Sequence, residues 1–224
     1  LVLWPTNHNE VLKTITSFKP KTSADHDEIS SKLMKFCANE LASPIVYLIN
    51  RSIYQGVFPT KLKAAKVYPK LKNGDSTVIG NYRPISLLST FSKLFEEITL
   101  TRLMGHLLTN NLLLDEQHGF VSRRSKTTAK VSITEHLIQT MENTDTTIAI
   151  FMDYSKAFNS LRHDTLLRKL KNMGVKGQTA KWFRSYLTSR TQAVEVTTVN
   201  NRMTQKTKST EISVSRGVPR GSSM

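Results

Sequence analysis

The spacing of apolar residues along the chain predicts a succession of amphipathic helices. Residues Ser30 to Gly56 have apolar positions three or four apart, with a division expected near Pro44. A long helix is predicted from about Ser86, and another from Thr128 to Glu142. Asp164 can cap a further helix, which Gly174 closes, and a last helix contains Trp182, Phe183, Tyr186 and Leu187. The pattern therefore indicates a helix-rich chain.

Other segments have the period of two that is typical of strands. "KAAKVYPKLKNGD", from Lys63 to Asp75, predicts a strand followed by an Asn73-Gly74 turn, which together indicate a hairpin. "QAVEVTTV" and "EISVS" alternate and predict two further strands near the C-terminus. Residues Thr147 to Met152 are apolar on both faces, which predicts a central strand covered on both sides. Helices followed by a sheet-containing part place the chain in the α+β class.

The charge of the chain changes the interpretation of its surface. Among 224 residues, 32 Lys and Arg stand against 17 Asp and Glu, which gives a net charge of +15. From Tyr154 onward there are 14 basic and three acidic residues. This excess favours binding to a polyanion such as a nucleic acid, although a basic surface can also serve solubility alone.

Several classes of protein and site are excluded by the residue types present. One cysteine, Cys37, allows no internal disulfide and no CxxC zinc site, and the six histidines form no HExxH pair. The apolar run in "LVLWPTNHNE" is too short for a signal peptide or a membrane span, so we expect an intracellular protein, nuclear or cytoplasmic, with no membrane partner. Neither end resembles a natural terminus, and we expect the chain to begin and end inside a longer protein.

Asp153 directly follows the predicted central strand. A carboxylate at the tip of a buried strand is costly without a partner. Two partners are chemically reasonable: a hydrated divalent cation, or a nearby Lys or Arg in an ordinary salt bridge. The residues by themselves leave both open.

The sequence segment around Asp153 resembles a known protein family. "FMDYSKAFNSLRHDTLLRKL" is similar to the palm motif of reverse transcriptases from non-LTR (LINE- and jockey-like) retrotransposons. Five further stretches resemble the same family in the expected order: "KAAKVYPKLKNGD", "NYRPISLLSTFSKLFE", "LLLDEQHGFVSRRSKT", "WFRSYLTSRTQAVEV" and "VSRGVPRGSS". The resemblance implies a right-hand polymerase, helix-rich with a central antiparallel sheet. Residues 1–146 would be an N-terminal extension and fingers, and residues 147–224 a partial palm without the Ala-Asp-Asp hairpin or the thumb.

The resemblance also implies roles for individual residues. Asp153 would be the catalytic carboxylate and would hold Mg²⁺ (Mn²⁺ is possible) together with the backbone carbonyl of Tyr154. Lys70 and Arg83 would bind the incoming triphosphate, and Phe158 would be a steric gate against a 2′-hydroxyl. Without the resemblance, each residue has an ordinary structural explanation. Lys70 would be a solvated lysine on a hairpin, and Arg83 would cap a helix or pair with Asp75. Phe158 would be a residue of the hydrophobic core.

Template contacts are implied at two loops, and the partners would be an RNA template, a DNA primer and dNTPs. The template-binding residues would be Arg123, Arg124, Lys126, Gly217, Pro219, Arg220 and Gly221. The chain departs from the family pattern at several of these positions. Asn159 stands where a second Asp is usual, Arg123 where Gly is common, and Arg220 where Gln is usual.

Three functions follow from these observations. The first is an RNA-directed DNA polymerase that transfers dNTPs onto a primer with two Mg²⁺ ions. Two-metal chemistry needs carboxylates from more than one strand, so the 224 residues by themselves are expected to be inactive. The second is a non-catalytic RNA- or DNA-binding remnant of a decayed element. The third is a basic helical scaffold of other ancestry, in which Asp153 would pair with Arg or Lys.

Overall fold

The computed structural model describes residues 1–21, 27, 29–154, 157–200 and 203–218. The chain forms two compact units. The first unit comprises residues 1–104 and 156–224, and the second comprises residues 105–155. No helix among the described residues is long and apolar enough to cross a membrane.

Eight helices are present in the described part of the chain. They are α1 (His8–Ser17), α2 (Ser31–Phe36), α3 (Ala38–Gln55), α4 (Thr90–Thr109), α5 (Lys126–Glu142), α6 (Ala157–Ser160), α7 (His163–Asn172) and α8 (Gly177–Leu187). The predictions for α5 and α8 are confirmed. Helix α7 also forms, but the predicted cap is wrong, because the helix begins after Arg162 and Asp164 lies inside its first turn. Polar side chains begin several of these helices: the Ser30 hydroxyl, for example, accepts a hydrogen bond from the Leu33 N–H at the start of α2.

The predicted division at Pro44 is wrong, because the chain turns at Cys37 and Pro44 lies inside α3. Proline removes one backbone hydrogen bond from a helix interior. Here Ala42, Ile45 and Ile49 are buried on both sides of the proline, so tertiary packing of that face outweighs the local cost.

Five strands make one mixed sheet. They are β1 (Ala64–Leu71), β2 (Tyr82–Leu88), β3 (Arg190–Asn200), β4 (Met203–Lys208) and β5 (Ile212–Val214). The order is β2-β1-β3-β4, and β5 pairs with β3. β1 and β3 run parallel, with Ala64 beside Thr191, so the expected antiparallel sheet is corrected to a mixed one. The long crossover between these two strands contains helices, as a parallel pair requires.

The β1–β2 hairpin confirms the predicted strand, with Leu71 beside Tyr82. The predicted tight turn at Asn73-Gly74 is wrong, because residues 72–81 connect the two strands, and Gly74, at φ +81°, is only part of that connection. The predicted helix start at Ser86 is wrong. Ser86 and Leu87 belong to β2, and α4 begins only at Thr90. The apolar spacing around Ser86 and Leu87 fits either a helix or a strand, and pairing with β1 makes this segment a strand.

The core of the first unit lies between α1, α3, α4 and α8. Phe58 is fully buried, and its ring meets those of Phe95, Trp182 and Tyr186 edge-on at centroid distances of 5.9, 5.5 and 5.1 Å. Each such aromatic pair contributes about 0.5–1.5 kcal/mol beyond area burial. The Trp182 indole N–H donates to the Ser52 hydroxyl at 2.9 Å, which satisfies its polar atom. This cluster fixes α8, and α8 leads directly into β3.

The strand predicted for Thr147 to Met152 does not form. Residues 145–154 have no regular secondary structure, and the side chains of Ile148 and Phe151 are 85% and 84% exposed. A β-strand needs a neighbour for its backbone N–H and C=O groups, and no described strand pairs with this segment. The apolar pattern is present in the sequence, but in the described structure no other element covers it. In the same unit α5 buries none of its residues.

Candidate functional site

Two predicted nucleotide-binding residues are directly opposite each other on the hairpin. Lys70 and Arg83 are cross-strand partners in the β1–β2 register, and both are exposed. Side chains of opposed residues lie on one face with Cβ atoms about 5 Å apart, and like charges there repel. Within the described residues neither forms an ion pair. The strand pairing thus places two positively charged side chains next to each other, which suits a ligand with several negative charges.

Asp75, the alternative partner for Arg83, is engaged elsewhere. Its carboxylate accepts a hydrogen bond from the Thr77 N–H at 2.8 Å, and hydrogen bonds from Thr77 lower the pKa of Asp75 below its ordinary value. Asp75 therefore stabilises the turn between β1 and β2 as an anion. In the described structure it forms no ion pair with Arg83.

Gly217 holds its loop against α6 and the segment that follows. The Gly217 N–H donates to the Leu161 carbonyl at 2.7 Å, and the Val218 N–H donates to the Phe158 carbonyl at 3.0 Å. His163 Nε2 donates to the Gly217 carbonyl at 2.8 Å. A Cβ at Gly217 would lie 2.8 Å from both the Phe158 carbonyl oxygen and Asn159 Cα, and φ is +79°. Only glycine fits this position, and the contact brings together Phe158 and Gly217, which the resemblance implied for two different roles.

A cavity of about 190 Å³ lies in the first unit beside this contact. Its lining comes from the hairpin, α6, β3, β5 and the Gly217 loop: Ala65, Pro84, Ser86, Asn159, Arg190, Thr191, Gln192, Val214, Arg216, Gly217 and Val218. Two lining residues are cations and none is an acid. The cavity therefore favours a negatively charged or strongly hydrogen-bonding ligand.

Arg190 is the unusual member of this wall. Its side chain is almost fully buried, with the guanidinium 4.9 Å from the Tyr186 ring centroid and 5.9 Å from that of Phe58. Nη1 donates to the Tyr186 carbonyl at 3.1 Å, whereas the buried Nη2 has no hydrogen-bond partner among the described residues. A buried unsatisfied donor is costly, and such groups in native proteins usually have a role.

Lys63 adds to the positive charge near Arg190. Burial, assisted by the positive charge of Arg190, lowers the pKa of Lys63 below its ordinary value. The ammonium donates to the Ser185 hydroxyl at 3.3 Å. Two cations thus share a poorly solvated region behind the cavity, an arrangement that opposes folding and favours an anion nearby.

Asp153 and Tyr154 belong to the second unit. Both are exposed, and the Asp153 carboxylate forms no ion pair with any described residue. The salt bridge expected for a basic scaffold is therefore absent from the described structure. Among the described residues no three His, Cys, Asp or Glu side chains cluster as a metal site.

The basic loop of the second unit precedes α5. Arg123 has φ +64°, a left-handed conformation that favours glycine, which explains why Gly is common there in the family pattern. Arg124 donates to the carbonyls of Leu114, Asp115 and Gln117 and pairs with the Asp115 carboxylate, so it also stabilises the loop. Arg123 and Lys126 are exposed, and Lys126 is the first residue of α5.

Three predicted template residues, Pro219, Arg220 and Gly221, lie outside the described residues. Sequence reasoning missed Arg190 and Arg216 as cavity residues. Arg190 could have been suspected from its position between a helix rich in aromatic residues and the predicted strand that begins at Gln192. For Arg216 the only signal was a cation beside Gly217.

The chain matches known proteins over most of its length. Residues 69–224 match the family model described as reverse transcriptase (RNA-dependent DNA polymerase). The chain is 28% identical over 174 residues to a probable RNA-directed DNA polymerase from transposon BS of Drosophila melanogaster, covering 77% of this chain and 19% of that protein. It is 25% identical over 214 residues to the RNA-directed DNA polymerase from mobile element jockey of the same species, covering 95% and 22%.

A probable polymerase from transposon X-element of that species is 25% identical over 217 residues, covering 95% of this chain and 23% of the relative. The chain thus spans about a fifth of the length of these curated relatives. The resemblance predicted from the motifs, to polymerases of non-LTR mobile elements, is confirmed. Because the family model covers well over half of the sequence, this chain belongs to the reverse transcriptase (RNA-dependent DNA polymerase) family.

Proposed function

We propose that this chain supplies the nucleotide- and template-binding part of an RNA-directed DNA polymerase of a mobile element. The observation that carries the proposal is the register of the β1–β2 hairpin, which sets Lys70 directly opposite Arg83. Family membership and the names of the relatives support the same activity. Within the fold, we assign residues 1–146 to an N-terminal extension and fingers, and residues 147–224 to palm.

Lys70 and Arg83 would bind the triphosphate of an incoming dNTP. Arginine offers a planar fork to phosphate oxygens, and lysine a compact point charge. Together they would hold the nucleotide and neutralise the charge that develops on the departing pyrophosphate. The absence of a described carboxylate partner leaves both side chains available for this role.

Phe158 would lie under the sugar and exclude a 2′-hydroxyl. Its backbone carbonyl is bonded to the Val218 N–H, so the Gly217 loop fixes the position of the aromatic residue. The loop, with Pro219, Arg220 and Gly221, would contact the template, and Arg123, Arg124 and Lys126 would contact template phosphates without reading sequence. The partners are then an RNA template, a DNA primer and dNTPs.

Reverse transcriptases work with divalent metal ions, and the donors at Asp153 fit Mg²⁺, with Mn²⁺ as an alternative. One exposed carboxylate and the Tyr154 carbonyl are hard oxygen ligands, and Mg²⁺ typically takes one or two carboxylates with substrate phosphates and water. When bound, the ion would lower the pKa of the primer 3′-hydroxyl and stabilise phosphate charge. Asp153 would position that ion and would itself remain ionised.

A second candidate function is a nucleic-acid-binding protein without polymerase activity. Two observations favour it: the segment before Asp153 is not a strand, and no acidic cluster exists among the described residues. This candidate retains the cationic hairpin and cavity and predicts RNA binding without dNTP incorporation.

Nucleotide binding tests the proposal directly. The variants Lys70→Gln and Arg83→Gln should each weaken binding of dTTP with Mg²⁺ by about 10- to 100-fold, since each removes a charge-assisted contact worth about 1.5–3 kcal/mol. Lys72→Gln, an exposed cation just beyond β1, is the matched control and should bind as the wild type does. Equal binding by all four proteins would refute the triphosphate role.

A further inference from the structure

A long stretch of the chain contains cations and no acid. Residues 165–194 hold seven Lys and Arg and no Asp or Glu. Six of the seven are exposed: Arg168, Lys169, Lys171, Lys176, Lys181 and Arg184. These residues lie on α7, on α8 and in the turn between them, away from the cavity lined by Arg190 and Arg216.

Four of these cations surround a hollow of about 300 Å³ between α7 and α8. The cations are Lys171, Lys176, Lys181 and Arg184, which together are called the basic hollow. Its floor is apolar, formed by Leu167, Val175 and Ala180. The basic hollow shares no residue with the cavity beside Gly217.

The charge of the basic hollow is not neutralised within the described structure. None of its four cations pairs with a described carboxylate. Asp164, the acid on α7, is bonded to Arg162 at 2.8 Å, and that hydrogen bond is the main cause of its lowered pKa. Four clustered cations without counter-charge repel one another, and a polyanion would relieve that repulsion.

The scaffold under the basic hollow is well packed. Val175, Trp182 and Phe183 are at most 3% exposed, so the backbone from which the cations project is fixed by the core. Lys181 and Arg184 are three residues apart on α8 and therefore share a face. The fold thus fixes the backbone positions from which the four charges project.

The chemistry of the surface favours phosphate over bases. The aromatic residues of α8, including Trp182, Phe183 and Tyr186, are buried and offer no face for stacking. Recognition of unpaired bases usually depends on exposed aromatic residues. Phosphate contacts from Lys and Arg fix the position of a strand without reading its sequence.

We propose that the basic hollow binds the phosphodiester backbone of RNA, outside the cavity and the hairpin. The inference rests on the proposed function, because the strand would be the RNA template. Binding there would be independent of sequence and steeply dependent on salt, and it would add affinity without contacting the nucleotide site.

The test uses the 224-residue chain and a 5′-fluorescein-labelled 20-nucleotide poly(U) RNA, followed by fluorescence anisotropy at several salt concentrations. The test variant replaces Lys171, Lys176, Lys181 and Arg184 with Gln. The control variant makes the same charge change at exposed positions elsewhere in the first unit: Lys13, Lys32, Arg51 and Lys61, each to Gln. Tryptophan fluorescence against denaturant checks that both variants are folded.

The test variant should lose roughly 100-fold in affinity at 0.1 M salt, and the slope of log K against log salt should fall by about 3, since each phosphate contact on a single strand contributes about 0.7. The control should lose less than about 5-fold. Equal losses in both variants would mean that only net charge matters and would overturn the inference.

Two further outcomes separate this inference from the proposed function. If the wild-type chain binds RNA and the folded test variant binds it equally well, the inference about the basic hollow is overturned and the proposed function is not. A wild-type chain that binds neither RNA nor dTTP overturns both. If the wild-type chain binds phosphatidylserine vesicles, the test variant does not, and the two bind RNA equally well, the surface is assigned to a membrane. That result would also overturn the inference.

Discussion

Replacing Glu10 by Gln should weaken the packing of α1 on the core, because Glu10 pairs with a buried arginine. The Arg102 guanidinium is fully buried and donates from Nη1 and Nη2 to the two Glu10 carboxylate oxygens, both at 2.9 Å. It also donates to the Trp4 and Ile98 carbonyls at 2.9 and 2.8 Å, and lies 5.1 Å from the Trp4 ring centroid. Glu10 is therefore the acid that compensates a buried cation.

The magnitude follows from these contacts. Glu10→Gln turns two hydrogen bonds between ionised groups into at most one, from Arg102 to the neutral amide oxygen, which costs about 2 kcal/mol. It also leaves Arg102 without a counter-charge. Removing one partner of a fully buried pair costs about 3–5 kcal/mol, but the Glu10 side chain is 30% exposed, so water recovers part of that. We expect a loss of about 2–3 kcal/mol in the free energy of unfolding, or roughly 5–10 °C in Tm.

The effect should depend on pH in a defined direction. Burial raises the pKa of Glu10, but hydrogen bonds from Arg102 and Thr6 with the Arg102 charge outweigh it, and the pKa lies below its ordinary value. A lowered carboxyl pKa gives stability that is fully present above the unfolded value of about 4.3 and is lost as pH falls through the folded value. The difference between the wild type and Glu10→Gln should therefore be largest near pH 7 and shrink below pH 4.

Urea unfolding followed by tryptophan fluorescence measures this well, because both tryptophans, Trp4 and Trp182, lie in the first unit. Glu97→Gln, on the same helix as Arg102 but outside the described ion pairs, is the matched control and should change stability by less than about 0.5 kcal/mol. A loss below 0.5 kcal/mol for Glu10→Gln at pH 7, or an undiminished loss at pH 3, would refute the reasoning.

Three further outcomes are expected. The 224-residue chain should add no dNTP in a primer-extension assay, because two-metal transfer needs further carboxylates; template-dependent addition would contradict this. Lys63→Met should raise the free energy of unfolding by about 1 kcal/mol at pH 7, since it removes a buried cation, and the gain should shrink as pH rises and vanish well above about 10.4, where the lysine is neutral in both the folded and the unfolded state; Lys72→Met is the control. Gly217→Ala should speed hydrogen exchange of the Val218 N–H by about 10-fold or more, because a left-handed non-glycine residue costs about 1–2 kcal/mol and its Cβ would collide with α6; unchanged exchange would show that the loop is not held through Gly217.

The sequence by itself determined the features that depend on near neighbours. Helices α5, α7 and α8 follow from apolar spacing, and the end of α7 follows from Gly174, since these interactions span only three or four positions. Strand β1 follows from the alternation in residues 63–71, whereas the position of β2 and the register that sets Lys70 opposite Arg83 come from the structure. Each family motif is a contiguous segment of the sequence, so the motifs identified the reverse transcriptase family without any coordinates.

Tertiary structure alone decided the features that depend on distant partners. The sheet is mixed because β1 pairs with β3, more than a hundred residues away, and no local pattern specifies such a pairing. Ser86 belongs to a strand and Pro44 to a helix interior because burial against other elements outweighs local preference. Arg190 lines a cavity only because α8 packs on Phe58. The apolar residues in 147–152 are those that a central strand would bury. Such a strand also needs a neighbouring strand to pair with its backbone, and only the tertiary structure can provide that neighbour.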